Sequence, residues 1–342
     1  MKNKILPVFI SFAGCTSRCV YCNQHKITGV APADILTSAK EQIKTNLSYD
    51  VEWNELAYFG GSFSCLPKDI RYSLYRLAEE SGMDRLRFST SPDCISDEII
   101  DEALANNVKV IELGVQSLDD SVLKANRRPY DSDECIEAVR LLKERVETVG
   151  IQLMTGLYKE DFSSFVETVE KAVLLNADYA RIYPCVVFPE TELSDLYTSG
   201  EYAPLELSEA VARCAYGYIM LTASGCNVIR VGLHDSDSVR DSAMAGAYHP
   251  AMGDMAKTVA LQTFFEMGHV LQIDQKYLNI AYGYGCILKK MHRKQVEICA
   301  GVTPDFKLIC EKIKESLGED YKRKLQTQTN RNAKGLVDKT NV

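Results

Sequence analysis

Cys15-Thr16-Ser17-Arg18-Cys19-Val20-Tyr21-Cys22 sets three thiols within eight residues, directly after the apolar run Ile5 to Ser11. Three thiolates complete the protein's share of an iron–sulfur cubane and leave one iron without a protein ligand, where clusters ordinarily take four cysteines. That open corner is the functional point, because a small molecule can chelate it. A structural zinc site would want a fourth Cys or His at a matching second knuckle, and His25 is the only nearby candidate. Three free cysteines clustered by chance are the other alternative. The specificity of the spacing favours the cubane.

Outward from the motif, short apolar runs alternate with amphipathic segments, the signature of βα units around a parallel sheet. The runs are Ile5 to Ser11, Leu56 to Phe59, Arg85 to Thr90, Val108 to Leu113, Ile151 to Met154 and Tyr179 to Val187. Helical patterns lie between them over Pro32 to Asn46, Asp69 to Ser81, Asp97 to Asn106, Asp133 to Val146 and Phe162 to Leu175. Periodicity alone does not choose between an open doubly wound sheet and a barrel. The glycine-rich and polar stretches all follow strand runs, where loops at the C-terminal ends of parallel strands build active sites. From about Leu205 the rhythm changes to a long helix, Leu207 to Ala223, and a strand, Val228 to Leu233.

C-x3-C-x2-C after the first strand, with Tyr21 before the third cysteine, resembles the radical S-adenosylmethionine (SAM) superfamily. The resemblance implies a partial (β/α)6 barrel with a C-terminal α/β extension, here residues 1–204 and 205–325, followed by a polar tail, 326–342, expected to fray. It implies a [4Fe-4S] cluster held by Cys15, Cys19 and Cys22, with SAM on the free iron. Tyr58-Phe59-Gly60-Gly61-Ser62-Phe63 resembles the glycine pair whose backbone receives the methionyl amino group, since only glycine brings a backbone that close without a Cβ clash. Ile111-Glu112-Leu113-Gly114-Val115-Gln116-Ser117 resembles a fourth-strand motif of the oxygen-independent coproporphyrinogen oxidases and the Elongator catalytic subunit, which places Glu112 and Gln116 in the SAM pocket. Met154-Thr155-Gly156-Leu157 is similar to the segment beside the adenine. Arg181 falls where relatives often carry a base that pairs with the cofactor carboxylate. Met154 and Ile151 as plain core residues are an equally good reading.

Ser89-Thr90-Ser91-Pro92-Asp93 and Gly246-Ala247-Tyr248-His249-Pro250 resemble the Elongator catalytic-subunit-like branch, so the likeness spans about Ile5 to Pro250. His249 is the candidate proton donor or substrate contact, against the commoner structural role of a lone histidine. The spacing between the first two cysteines is narrower than in the Elongator subunit, Ser91 stands where many relatives have Arg, and the sequence after Leu205 does not hold an acetyltransferase domain. Carboxymethyl-type modification of wobble uridine from acetyl-CoA therefore does not carry over.

The chain has a net charge of -8, unevenly spread. From Lys276 onward there are 14 Lys+Arg against 7 Asp+Glu. Lys289-Lys290-Met291-His292-Arg293-Lys294 and Lys322-Arg323-Lys324 are candidates to neutralise phosphates, or else solvated helix faces balancing an acidic barrel. With the family branch, this points to transfer RNA or another RNA as substrate and to an external one-electron reductant as partner. A radical SAM oxidase of a porphyrin-like small molecule and a non-catalytic metal scaffold are the alternatives. Pro7 interrupts the first apolar run, which leads straight into the cysteines, so it reads as a buried strand and not a secretory signal. No stretch approaches the roughly twenty apolar residues of a membrane helix, and a cytoplasmic protein with reduced thiols is expected. Cys94, Cys135, Cys214, Cys226, Cys299 and Cys310 read as small core hydrophobes, and packing is the default role of Cys65 and Cys185.

Overall fold

The computed structural model describes residues 4–29, 34–318 and 320–340. Seven parallel strands form one sheet in chain order: β1 (Ile5–Phe9), β2 (Glu55–Phe59), β3 (Leu86–Thr90), β4 (Val108–Gln116), β5 (Thr148–Thr155), β6 (Tyr179–Pro184) and β7 (Asn227–Val231). A doubly wound sheet reverses its strand order at a switch point. An order that never reverses is that of a barrel, here partial, with β1 and β7 at its two ends.

Between strands the chain returns through α1 (Ile35–Leu47), α2 (Lys68–Glu80), α3 (Asp97–Ala105), α4 (Ser132–Arg145) and α5 (Phe162–Leu174). Side-chain caps fix their starts: Asp131 caps α4 reciprocally with Glu134, and Asp161 caps α5 with Ser164. The helix expected from Pro32 begins at Ile35 behind the Asp34 cap; residues 30–33 lie outside the described residues.

Period two along the strands divides the sheet into two faces. Leu6, Val8, Leu56, Tyr58, Ile111, Leu113, Val115, Ile151 and Leu153 share one buried apolar cluster with Leu74, Ile100, Leu142 and Phe165 of the helices. The alternate positions, Glu55, Arg87, Ser89, Glu112, Gln152, Tyr179 and Arg181, give the other face its polar character. One face is core, and the other is left for chemistry.

The seventh strand comes from the segment expected to form a separate extension, so the sheet runs on past residue 204. Beyond β6, α6 (Leu207–Ala223) is buried almost throughout, and α7 (Met252–Glu266), α8 (Phe306–Leu317) and α9 (Tyr321–Thr340) pack with it. Arg213 on α6 reaches Glu160 after β5 at 2.9 Å, and both side chains are buried. The polar tail is not frayed. Leu325, Thr329, Asn332, Ala333 and Leu336 make a narrow buried stripe along α9, and Asn332 donates to Thr263 of α7 at 3.0 Å. Among the described residues, no helix is long and apolar enough to cross a membrane.

Cys65 and Cys94 are joined in a disulfide, which corrects the reading of both as packing thiols. Cys135, Cys185, Cys214, Cys226 and Cys310 are free and buried as core residues, whereas Cys299 is half-buried.

Candidate active site

After β1 the chain passes through left-handed conformations at Phe12 (φ 59°) and Gly14 (φ 74°) and delivers Cys15, Cys19 and Cys22 to the C-terminal end of the sheet. The loop after β2 lies against it backbone to backbone. Phe12 N–H donates to the Gly60 carbonyl at 3.0 Å, and Ser62 N–H to the Ala13 carbonyl at 2.8 Å. A Cβ on Gly61 would stand 2.4 Å from the Ala13 carbonyl oxygen, and one on Gly14 2.1 Å from that of Ser62. Gly14 and Gly61 are thus required for the two loops to meet, before any cofactor is considered.

The three thiols are free, Cys15 exposed and the others half-buried. Each has a polar neighbour from a different direction: Ser62 Oγ lies 3.6 Å from Cys15 Sγ, Gln24 Nε2 donates to Cys22 Sγ at 3.6 Å, and Arg128 Nη1 donates to Cys19 Sγ at 2.8 Å. Burial and the negative charge of neighbouring thiolates push the Cys22 thiol up to about 12, and burial also raises Cys15. Three thiolates in this loop therefore call for a cationic partner. Among the described residues, only Cys65, Asp93 and Cys94 bring three ligand atoms within 4.8 Å of one another. The sulfurs of the loop are thus not gathered to the roughly 3.8 Å that a tetrahedral zinc with 2.3 Å bonds imposes.

Arg128 escaped the sequence reading. It is half of an Arg127-Arg128 pair, and nothing in the pattern says which side chain turns inward. Arg127 pairs with Glu192 at the surface, whereas Arg128 donates to Cys19, to Tyr130 Oη at 2.5 Å, to Tyr21 Oη at 3.4 Å and to the Gly114 carbonyl at 2.7 Å. It ties the cysteine loop to the end of β4.

Glu112 sits below this, 1% exposed, accepting from Gln152 Nε2 and from Tyr179 Oη (2.7 Å), and paired with Arg181 Nε at 3.0 Å. Gly150 makes the Tyr179 contact possible, since a Cβ there would fall 2.1 Å from the tyrosine ring. Glu112, expected in the SAM pocket, and Arg181, expected to pair with the cofactor carboxylate, hold each other.

Gln116 differs. It is buried, strained at φ 65° where β4 shifts register against β5, and its Oε1 has no hydrogen-bond partner. Ser89, in register with Glu112 across β3 and β4, likewise carries an unpartnered Oγ, and no local pattern in its segment marks it. Such atoms cost about 1–3 kcal/mol each when buried alone, and strain of this kind collects at functional sites. Met154 packs with Cys19, Cys22, Val20 and Tyr21 in a small apolar cluster under the loop. His249 is not gathered with these groups. Its Nδ1 accepts from Ala251 N–H at 3.0 Å and its ring meets Tyr284 edge-on.

Residues 9–172 match the family model of the Radical SAM superfamily, and residues 177–260 that of the Radical_SAM C-terminal domain. The chain belongs to the radical SAM superfamily. Among its relatives is a tRNA uridine(34) acetyltransferase of Methanocaldococcus infernus, 31% identical over 135 residues that make up 38% of this chain and 25% of that protein. A tRNA-2-methylthio-N(6)-dimethylallyladenosine synthase of Desulforamulus reducens is 28% identical over 53% of this chain and 42% of its own. The chain thus spans less than half the length of these relatives. The archaeal Elp3 of Methanocaldococcus infernus with an N-terminal deletion shares the fold, with TM-score 0.60 and 18% identity over 81% of this chain and 68% of that one. The first of these relatives and the Elp3 fold are in keeping with the resemblance to the Elongator-like branch. The superfamily is one of enzymes that use a [4Fe-4S] cluster and SAM.

The donor set fits that cluster: three soft thiols on one loop, each oriented by a neighbour, with Cys15 open to an incoming ligand. When bound, cluster and SAM together supply one-electron cleavage of a sulfur–carbon bond and so a carbon-centred radical. The protein's own residues supply the setting: Arg128 ties the loop to the end of β4, Met154 and Tyr21 belong to the apolar cluster that includes Cys19 and Cys22, and Gln116 and Ser89 carry buried polar atoms without partners.

Proposed function

We propose that this radical SAM enzyme acts on RNA, with transfer RNA as the substrate class, in the cytoplasm and with an external one-electron reductant. Cys15, Cys19 and Cys22 hold the cluster. Gly60, Gly61 and Ser62 receive the amino group of SAM, Gln116 and Ser89 its ribose, and Met154 its adenine; Glu112 and Arg181 support that pocket from below. The reading of the chemistry rests on three free thiols in one loop, one of them exposed. The reading of the substrate draws on the names of the tRNA-modifying relatives and on a cationic surface. Lys290, Arg293 and Lys294 are exposed, while Lys322 is spent on Glu170 at 2.6 Å and ties α9 to α5. Phosphates bound there release counterions, so affinity must fall steeply with salt. Gel-shift titration against bulk transfer RNA at two salt concentrations tests this directly. Binding at low salt that weakens at high salt and is reduced by Lys290→Glu with Arg293→Glu is expected; no binding at low salt overturns the RNA reading and leaves the radical chemistry standing.

A further inference from the structure

Ten of the twelve cysteines are free thiols, and the remaining two are bonded to each other at the active-site end of the barrel. Cys65 closes the loop after β2, and Cys94 the loop after β3. Each is one residue contact from the cysteine motif. Cys65 N–H donates to the carbonyl of Ser62, whose hydroxyl lies 3.6 Å from Cys15 Sγ. Asp93, next to Cys94, accepts from Thr16, next to Cys15, at 3.3 Å. Both bonded cysteines are partly open to solvent, unlike the five buried thiols of the core.

The bond is not what holds these loops. Ser64 N–H and Oγ both bond Thr90 Oγ1 across the same gap, and Arg71, paired with Glu102 at 2.6 Å, donates to the carbonyls of Ser64 and Leu66. A cross-link laid over an already determined contact, partly exposed, and beside the cysteine loop is placed for chemistry and not for the fold.

We propose that Cys65 and Cys94 form a redox-active dithiol/disulfide site that exchanges electrons with external thiols beside the cluster loop. An external thiolate attacks one sulfur of the pair, the Cys65–Cys94 bond breaks, a mixed disulfide forms, and the displaced cysteine leaves as thiolate and takes a proton. A second external thiol resolves the mixed disulfide and frees the other cysteine. Two electrons and two protons pass from two external thiols, which leave as a disulfide, to the pair. In the closing direction Asp93 Oδ2, 3.9 Å from Cys94 Sγ, accepts the thiol proton.

The test uses the folded, metal-free chain in buffers of graded reduced-to-oxidised glutathione ratio, followed by thiol trapping and peptide mapping; it is independent of RNA and of the cluster. The bonded fraction of Cys65–Cys94 should follow the ratio reversibly, two thiols appearing together. Cys65→Ser should lose the response and keep the far-UV circular dichroism of the parent. A pair that stays bonded across the whole range until the protein is unfolded is a structural cross-link and overturns the proposal. So does a pair that is reduced throughout.

Discussion

The floor and the mouth of the barrel are built from the same strands and yet treat polar groups in opposite ways. On the floor each charge has its partner: Glu55 lies 3.4 Å from Arg85 and 3.2 Å from Arg87, and Glu112 is shared by Arg181, Tyr179 and Gln152. At the mouth, Gln116 carries an orphaned atom and is strained, and the Cys15 and Cys22 thiols are raised by burial and by the negative charge of neighbouring thiolates. A polar group satisfied from within is part of the fold, and one left wanting is available to a ligand.

The contrast is easiest to break at its extremes. Replacing Cys15, Cys19 or Cys22 with Ala should abolish iron uptake and the visible absorbance of the anaerobically reconstituted protein, together with 5'-deoxyadenosine production, while the fold by circular dichroism stays intact. Glu112→Ala should do the reverse in kind. It strands Arg181 and Tyr179 in a buried layer and should cost about 3–5 kcal/mol of unfolding free energy in a urea titration. Arg128→Gln, at the border of the two regions, removes the donor to Cys19 and should weaken iron binding about 10–100-fold in a chelator competition. Gln116→Leu is the smallest effect. It deletes an orphaned oxygen, so stability should hold or rise by about 1 kcal/mol, while SAM binding by calorimetry weakens. A loss of stability equal to that of Glu112→Ala would erase the distinction between mouth and floor.

The strands and α2 to α5 were legible within a few residues because alternating burial writes a period into the chain, and the caps at Asp131 and Asp161 punctuate it. The α9 helix was not, because among its described residues the fully buried ones are Leu325, Thr329, Asn332, Ala333 and Leu336, and two of these five are polar. The burial of Asn332 depends on hydrogen bonds to Gln262 and Thr263 of α7 that no local pattern announces.

The sequence by itself determined that three thiols share one loop after a first strand, and that glycines stand where two backbones must meet, because both are properties of neighbours along the chain. Which of two adjacent arginines reaches Cys19, that Glu112 is occupied by Arg181, that β7 extends the barrel, and that Cys65 finds Cys94 across 29 residues were decided only in three dimensions. Each of these is a contact between groups whose separation is fixed by how strands stack and helices return, and spacing along the chain carries no record of it.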